Sequence, residues 1–182
     1  MKVNKKLLLI VPAILMVSAL ILSSGYSAPT STASTTSNVT VNTYVSISLT
    51  NTLQGGVQFG NLNPGTTNSS STTCAGLACN ITVSVDSNVN VDLKIKDNAP
   101  LTSGSNTIPN SGYYFNTSAT AQPVLPAQSS LDTTYYEFAT GVSGTNGVSV
   151  IQFWLNVPST QAPGTYNNTI SFCGEEAGTT TC

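Results

Sequence analysis

Side chains able to perform acid–base or nucleophilic chemistry are scarce in this sequence. It contains no histidine, the most frequent general base, and only seven carboxylates. Asp86, Asp92 and Asp97 alternate with apolar residues. The other four stand near turns or near the C-terminus: Asp132, Glu137, Glu175 and Glu176. Residues 141–144 read Gly-Val-Ser-Gly and fall short of the G-x-S-x-G nucleophile elbow. We therefore expect no enzyme activity and no cofactor.

One polar stretch superficially resembles a calcium-binding loop. Its oxygen-bearing residues are Asp86, Asn88, Asn90, Asp92 and Asp97. The match fails at its informative positions, because Val91 stands where such a loop needs Gly and Asp97 stands where a bidentate Glu closes the site. The polar faces of alternating strands explain the same pattern. We expect no metal site here.

The four cysteines offer the clearest covalent chemistry. Cys74, Cys79, Cys173 and Cys182 form an even set, which predicts two disulfides in an oxidising compartment. A metal site is disfavoured because the chain lacks His and its spacings are not those of paired CxxC motifs. Three connectivities are open. We favour the two local pairs, which would close short loops, over a crossed pairing that would tie the middle of the chain to its end.

The N-terminus has the organisation of a secretory signal. Lys2, Lys5 and Lys6 precede an apolar run at 7–22, and small residues follow it. The sequence therefore predicts a signal peptide over 1–28 and a secreted, extracellular protein. An uncleaved anchor is the alternative, since the run sits at the upper length for a signal.

The surface chemistry of the predicted mature chain is neutral and polar. More than a third of all residues are Ser, Thr or Asn, whereas only 7 % are charged. Lys94 and Lys96 are the only cations after the signal, so we expect no nucleic acid partner. Export would make N-x-S/T sequons available for glycosylation. There are five: Asn38, Asn68, Asn80, Asn116 and Asn167.

Apolar residues after the signal recur with a period of two, which is typical of strands. The run from Val39 to Leu49 would span about 36 Å, about twice the length of a usual strand. A phase slip between Val150 and Ile151 predicts a β-bulge. Short strands punctuated by Gly and Pro predict an all-β fold, a single antiparallel β-sandwich of jelly-roll or immunoglobulin-like type. We assign residues 29–42 to an N-terminal tail and residues 43–182 to the sandwich.

Several segments together resemble a known family of secreted sandwiches. They are Asn38-Val-Thr-Val, residues 45–51, and Val57-Gln-Phe-Gly-Asn-Leu-Asn-Pro-Gly-Thr66, followed by 153–158 and 162–172. They are similar to TasA-like and camelysin-like proteins, and look closest to the archaeal bundling pilins of that fold. The resemblance covers about half of the predicted mature chain.

The resemblance implies that the protein polymerises head-to-tail with itself, the N-terminal strand of one subunit completing the sandwich of the next. It implies an extracellular filament active in adhesion, bundling with neighbouring filaments and biofilm matrix. We expect residues 29–42 to be the donor strand, with Val39 and Val41 filling pockets. The alternative is that the whole run from Val39 pairs within its own sandwich.

The aromatic residues are compatible with a second function. A surface-displayed monomer could bind glycans or adhere through a stacking platform. Its candidate residues are Tyr113, Tyr114, Tyr135, Tyr136 and Trp154.

Overall fold

The computed structural model describes residues 32–118 and 128–182. The predicted signal peptide and residues 29–31 of the predicted tail lie outside these ranges. The chain divides into one unit that ends at Thr40 and a second from Val41 to Cys182. Residues 32–40 of the first unit have no helix or strand, so the regular structure described belongs to the second unit.

In the described residues of the second unit, the regular secondary structure consists almost entirely of β-strands. A single four-residue helix, α1 (Asn51–Gln54), and a 3-10 turn at Asn110–Gly112 interrupt them. The strands are β1 (Ile47–Leu49), β2 (Ser69–Ser70), β3 (Asn80–Val83), β4 (Val91–Asp97), β5 (Leu101–Ser103), β6 (Asn106–Ile108), β7 (Tyr113–Ser118), β8 (Ser129–Ser130), β9 (Tyr136–Val142), β10 (Val148–Leu155) and β11 (Ile170–Glu176).

These strands form two main sheets in which every pairing is antiparallel. The larger sheet has the order β1-β3-β10-β7-β8, and β2 pairs with the end of β10. The smaller sheet has the order β11-β4-β9. Strands β5 and β6 make a separate hairpin.

The hydrophobic core lies between the two main sheets. Val91, Leu93 and Ile95 of β4 are fully buried, as period-two alternation requires for a strand with one face inward. Across from them, Phe115 of β7 meets Phe138 of β9 edge to face, with ring centroids 6.4 Å apart. The predicted all-β fold with an antiparallel β-sandwich is therefore confirmed.

The bulge predicted between Val150 and Ile151 is wrong. Strand β10 pairs without a register shift from Val150 opposite Ser118 to Leu155 opposite Tyr113. The apparent slip arises because Ser149, a polar residue, occupies a fully buried inward position. The register shifts lie instead between β4 and β9, around Leu93.

The long N-terminal run enters regular pairing only at β1, opposite β3. Just before β1, the chain is anchored by the 84–88 loop. The Tyr44 N–H donates to Asn88 Oδ1 at 2.8 Å, and the Ser46 carbonyl accepts from the Ser84 N–H at 2.9 Å. Asn88 Nδ2 donates to the Asn42 carbonyl at 2.9 Å. The backbone of 42–46 is therefore hydrogen-bonded to the 84–88 loop and not to a neighbouring strand.

Candidate functional site

The most exposed apolar side chains described belong to the predicted donor segment. Val39 is 87 % exposed and Val41 is 76 % exposed. No helix or strand is assigned anywhere in 32–46. Two β-branched residues in alternate positions of an extended segment can present one apolar face to a sheet.

The outer edge of β11 carries backbone groups that point away from β4, its partner among the described strands. The Thr169 carbonyl accepts from the Asn98 N–H, and the Ala177 N–H donates to the Asn90 carbonyl. In an antiparallel ladder the bonded residues alternate, so odd-numbered residues of β11 face β4. The backbone groups of Ile170, Phe172 and Gly174 therefore point outward.

The side chains of Ile170 and Phe172 point toward the core, and Gly174 lies on the same face of the strand. Ile170 and Phe172 are half-buried, and the Phe172 ring meets Phe138 edge to face at 6.4 Å. A Cβ on Gly174 would lie 2.6 Å from Ile47 Cγ2, so only glycine permits β1 to approach this closely. An open backbone edge thus lies directly beside apolar side chains.

The C-terminal end of this edge is closed by its own tail. The Glu176 carbonyl accepts from the Thr179 N–H at 3.0 Å and from Thr179 Oγ1 at 2.7 Å. The Cys173–Cys182 disulfide returns the chain to β11. The open stretch described therefore ends at Gly174.

Two buried carboxylates hold that tail in place. Asp92 accepts from the Gly178 N–H at 2.8 Å. Glu175 pairs with Lys94, and its Oε2 accepts from the backbone N–H groups of Thr181 at 2.5 Å and Cys182 at 2.8 Å. Lys94 first, and then the Cys182 N–H, lower the pKa of Glu175 to about 2.

The opposite edge of the smaller sheet, β9, is joined to the larger sheet by polar and aromatic contacts. Thr117 Oγ1 donates to the Phe138 carbonyl at 3.0 Å across the sandwich. The Tyr136 ring meets Phe115 edge to face at 5.6 Å. Bulged and tied in this way, β9 is a poor site for an added strand.

Both disulfides join sequence neighbours. Cys74 pairs with Cys79 and Cys173 pairs with Cys182, with Cα–Cα distances of 5.0 and 6.3 Å. The local pairing is confirmed, and it leaves no free cysteine in the parts of the chain that are described. Two such bonds indicate an oxidising, exported setting.

The five sequons differ in accessibility. The exposed asparagines are Asn38, Asn68 and Asn167. Asn80 is half-buried, and its amide faces the carbonyl oxygens of Leu77 and Cys79. Asn116 is only 4 % exposed, so a glycan on it has no room beside the folded sheet. We expect glycosylation, if the host provides it, at the three exposed positions.

The structure does not bring the five candidate aromatics together. Tyr113 is a core residue between Phe59 and Phe153. Tyr114 and Trp154 are cross-strand partners on the outer face of the larger sheet. Tyr135 lies under Lys96 Nζ at 4.3 Å, and Tyr136 contacts Phe115. At most the Tyr114 and Trp154 pair could serve as a stacking surface.

The carboxylates do not form a metal cluster of a familiar type. Within 32–118 and 128–182, no group of three or more His, Cys, Asp or Glu side chains is placed to hold a metal ion. Asp97 is nevertheless buried beside Asn110, whose Nδ2 donates to its Oδ1 at 3.1 Å. Burial, and then the nearby charge of Asp132, raise the pKa of Asp97.

No family model, curated protein or solved structure matches this chain. In the described residues, no helix has the length and apolar character needed to cross a membrane. The open edge of β11 was missed from the sequence, although apolar Ile170 and Phe172 followed by Gly174 are a signal of a half-buried strand.

Proposed function

We propose that this protein is a structural, non-catalytic subunit of an extracellular filament that polymerises head-to-tail by donor-strand complementation. Residues 29–42 of one subunit pair with the outer edge of β11 in the next. The observation that carries the proposal is the open backbone of Ile170, Phe172 and Gly174, which runs beside half-buried apolar side chains.

The donor and the acceptor have complementary chemistry. An added strand would satisfy the outward N–H and C=O groups of β11, which an edge strand otherwise leaves to water. Val39 and Val41 lie two residues apart, so one face of that strand is apolar. Their transfer from water to the sandwich would contribute about 1.5–3 kcal/mol per fully buried side chain.

The subunit surface is compatible with a polymer and with bundles of polymers. Without the predicted signal the subunit has two lysines and seven carboxylates, a formal net charge of −5. These few charges are spread over the whole domain, so neighbouring copies repel each other only weakly. Filaments coated with hydroxyl and amide groups can then lie side by side. The resemblance to bundling pilins implies the same arrangement and a role in adhesion and biofilm matrix.

Removal of the donor segment tests the proposal. The secreted protein lacking residues 29–42 should fold and remain monomeric in size-exclusion chromatography and negative-stain microscopy. Added peptide 29–42 should bind it, whereas the matched peptide carrying Val39→Ser and Val41→Ser should bind much more weakly. Filaments formed without residues 29–42 would exclude this segment as the linker.

A second candidate function rests on the Tyr114 and Trp154 pair. These neighbours on the outer face of the larger sheet could stack on a sugar ring in a monomeric, surface-displayed module. A glycan-array comparison of the native protein with Trp154→Ala tests this reading. Binding by a protein that stays monomeric would favour the adhesive module, and no binding would remove it.

A further inference from the structure

A buried acidic site at the end of β4 has oxygen acceptors without donors. Asp97 is only 1 % exposed, and its Oδ2 has no hydrogen-bond partner in the described part of the chain. Asn110 Nδ2 donates a hydrogen bond to Asp97 Oδ1. The Asn110 Oδ1 atom is buried and also has no hydrogen-bond partner in the described residues. A buried acceptor left unpaired costs about 1–3 kcal/mol, and more when it is charged.

A second acidic residue, Asp132, adjoins Asp97. The Asp132 carbonyl accepts from the Asp97 N–H at 2.9 Å, which places the two residues side by side. Asp132 is exposed, and its Oδ1 accepts from the Thr133 N–H at 2.6 Å. Its charge acts on Asp97. The group therefore carries two formal negative charges in a partly buried position.

Neither cation of the described chain neutralises this group. Lys94 pairs with Glu175, and Lys96 lies over the Tyr135 ring. Both lysines occupy even-numbered positions of β4, whereas Asp97 belongs to the odd-numbered, core-facing set. A buried charge needs a partner, a proton or a metal ion.

We propose that Asp97, Asn110 and Asp132 bind a divalent cation of the calcium class. The donors are two carboxylates and an amide oxygen, which suit a hard cation that takes oxygen ligands in irregular geometry. No thiolate or imidazole is present in the set, so zinc is disfavoured. Water and backbone carbonyls would complete the coordination, as they do at other calcium sites.

The position of the site gives the cation a structural role beyond the proposed filament function. Asp97 ends β4 in the smaller sheet, Asn110 lies in the turn that leads into β7 of the larger sheet, and Asp132 follows β8. A cation bound by all three would join both sheets near the start of β11, because Asp97 is the register partner of Ile170.

The test compares calcium binding by the full secreted protein and by three variants, one of them a control. After treatment with EDTA, CaCl2 at a hundredfold excess over Kd should raise the unfolding temperature by on the order of 5–10 °C. Tb³⁺, used as a calcium substitute, should luminesce when tyrosine is excited, because Tyr113 lies close enough for the Asp97 charge to act on it.

Asp97→Asn should abolish both signals, and Asp132→Asn should weaken calcium binding at least about tenfold. Asp86→Asn, an exposed carboxylate on the β3–β4 connection, is the matched control and should change neither. Because Asp132 is exposed, its variant keeps the test valid if Asp97→Asn does not fold.

Two results would overturn the proposal. The first is a wild-type protein with no calcium-dependent shift and no Tb³⁺ signal. The second is a calcium shift that survives in Asp132→Asn at full strength. If the wild-type protein ignores calcium and gains stability on mild acidification, while Asp97→Asn does not, Asp97 holds a proton and not a metal ion.

Discussion

The two edges of the smaller sheet, β11 and β9, flank the same central strand but differ in regularity and in what covers them. Strand β11 keeps an unbroken seven-residue register with β4. Strand β9 has two register shifts against β4, and Thr117 and Phe115 of the larger sheet contact it.

The difference shows how one sheet can protect one edge and leave the other able to pair. Bulges and coverage of the edge by other parts of the chain are among the means by which proteins prevent unwanted strand addition. Strand β9 uses both. Strand β11 is capped only beyond Gly174, by the tail that Asp92 and Glu175 hold. We infer that β11 is the edge reserved for a partner.

The largest expected effect is the loss of the aromatic contacts that cover β9. Phe115→Ala should lower the free energy of unfolding by about 3–5 kcal/mol, because the ring is buried between the sheets. Phe172→Ala on β11 should cost less, about 1–2 kcal/mol, because that ring is only half-buried. Urea denaturation of both variants measures the difference. Equal losses would contradict the contrast between the two edges.

The tail that caps β11 depends on its disulfide. Replacing Cys173 and Cys182 together by Ser should lower the free energy of unfolding by about 2–3 kcal/mol, because a short closed loop no longer restrains the unfolded chain. Chemical denaturation under non-oxidising and oxidising conditions checks this for wild type and variant. A wild-type protein that is equally stable with its disulfides reduced would show that the Cys173–Cys182 disulfide does not stabilise the fold.

The hydrogen bond that ties β9 to β7 should contribute less. Thr117→Val keeps the shape but leaves the Phe138 carbonyl without its donor, so we expect a loss of about 1 kcal/mol. Thr82→Val, on the outer face of the larger sheet, is the matched control and should be near neutral. If the two substitutions cost the same, the cross-sheet bond does not secure β9.

The last effect, confined to acid pH, should be a pH dependence from the tail anchor. The pKa of Glu175 is about 2 when folded and 4.5 in its ordinary state, so its pairing stabilises the fold fully above pH 4.5. That stability is lost as the pH falls from 4.5 toward 2. Glu175→Gln should flatten the curve of stability against pH in this range. The control Glu137→Gln, on β9, should leave the curve unchanged. An unchanged curve in Glu175→Gln would assign the acid sensitivity to other groups.

The alternation of apolar residues was enough to predict the sandwich and most of its strands. The short spacings of the cysteines were enough to favour the local disulfides, because neighbours in sequence are already close in space. The bulge was misplaced because Ser149 occupies a core position despite its polarity.

The open edge could not be predicted, because it depends on which strands are neighbours across the sheet. The sequence shows that 170–176 is a strand, but only the register with β4 shows which of its backbone groups point outward. The acidic group of Asp97, Asn110 and Asp132 escaped detection for the same reason. Its members come from three segments that only the fold brings together.

The most direct test of the central claim is amide hydrogen exchange at the outer edge of β11. It compares the native filament with the protein that lacks residues 29–42. The amides of Ile170, Phe172 and Gly174 should exchange rapidly in the truncated protein and be protected at least about a hundredfold more in the filament, since hydrogen bonding to a donated strand shields them. Equal exchange of these amides in both samples would contradict the account, most clearly if β9 gained the protection instead.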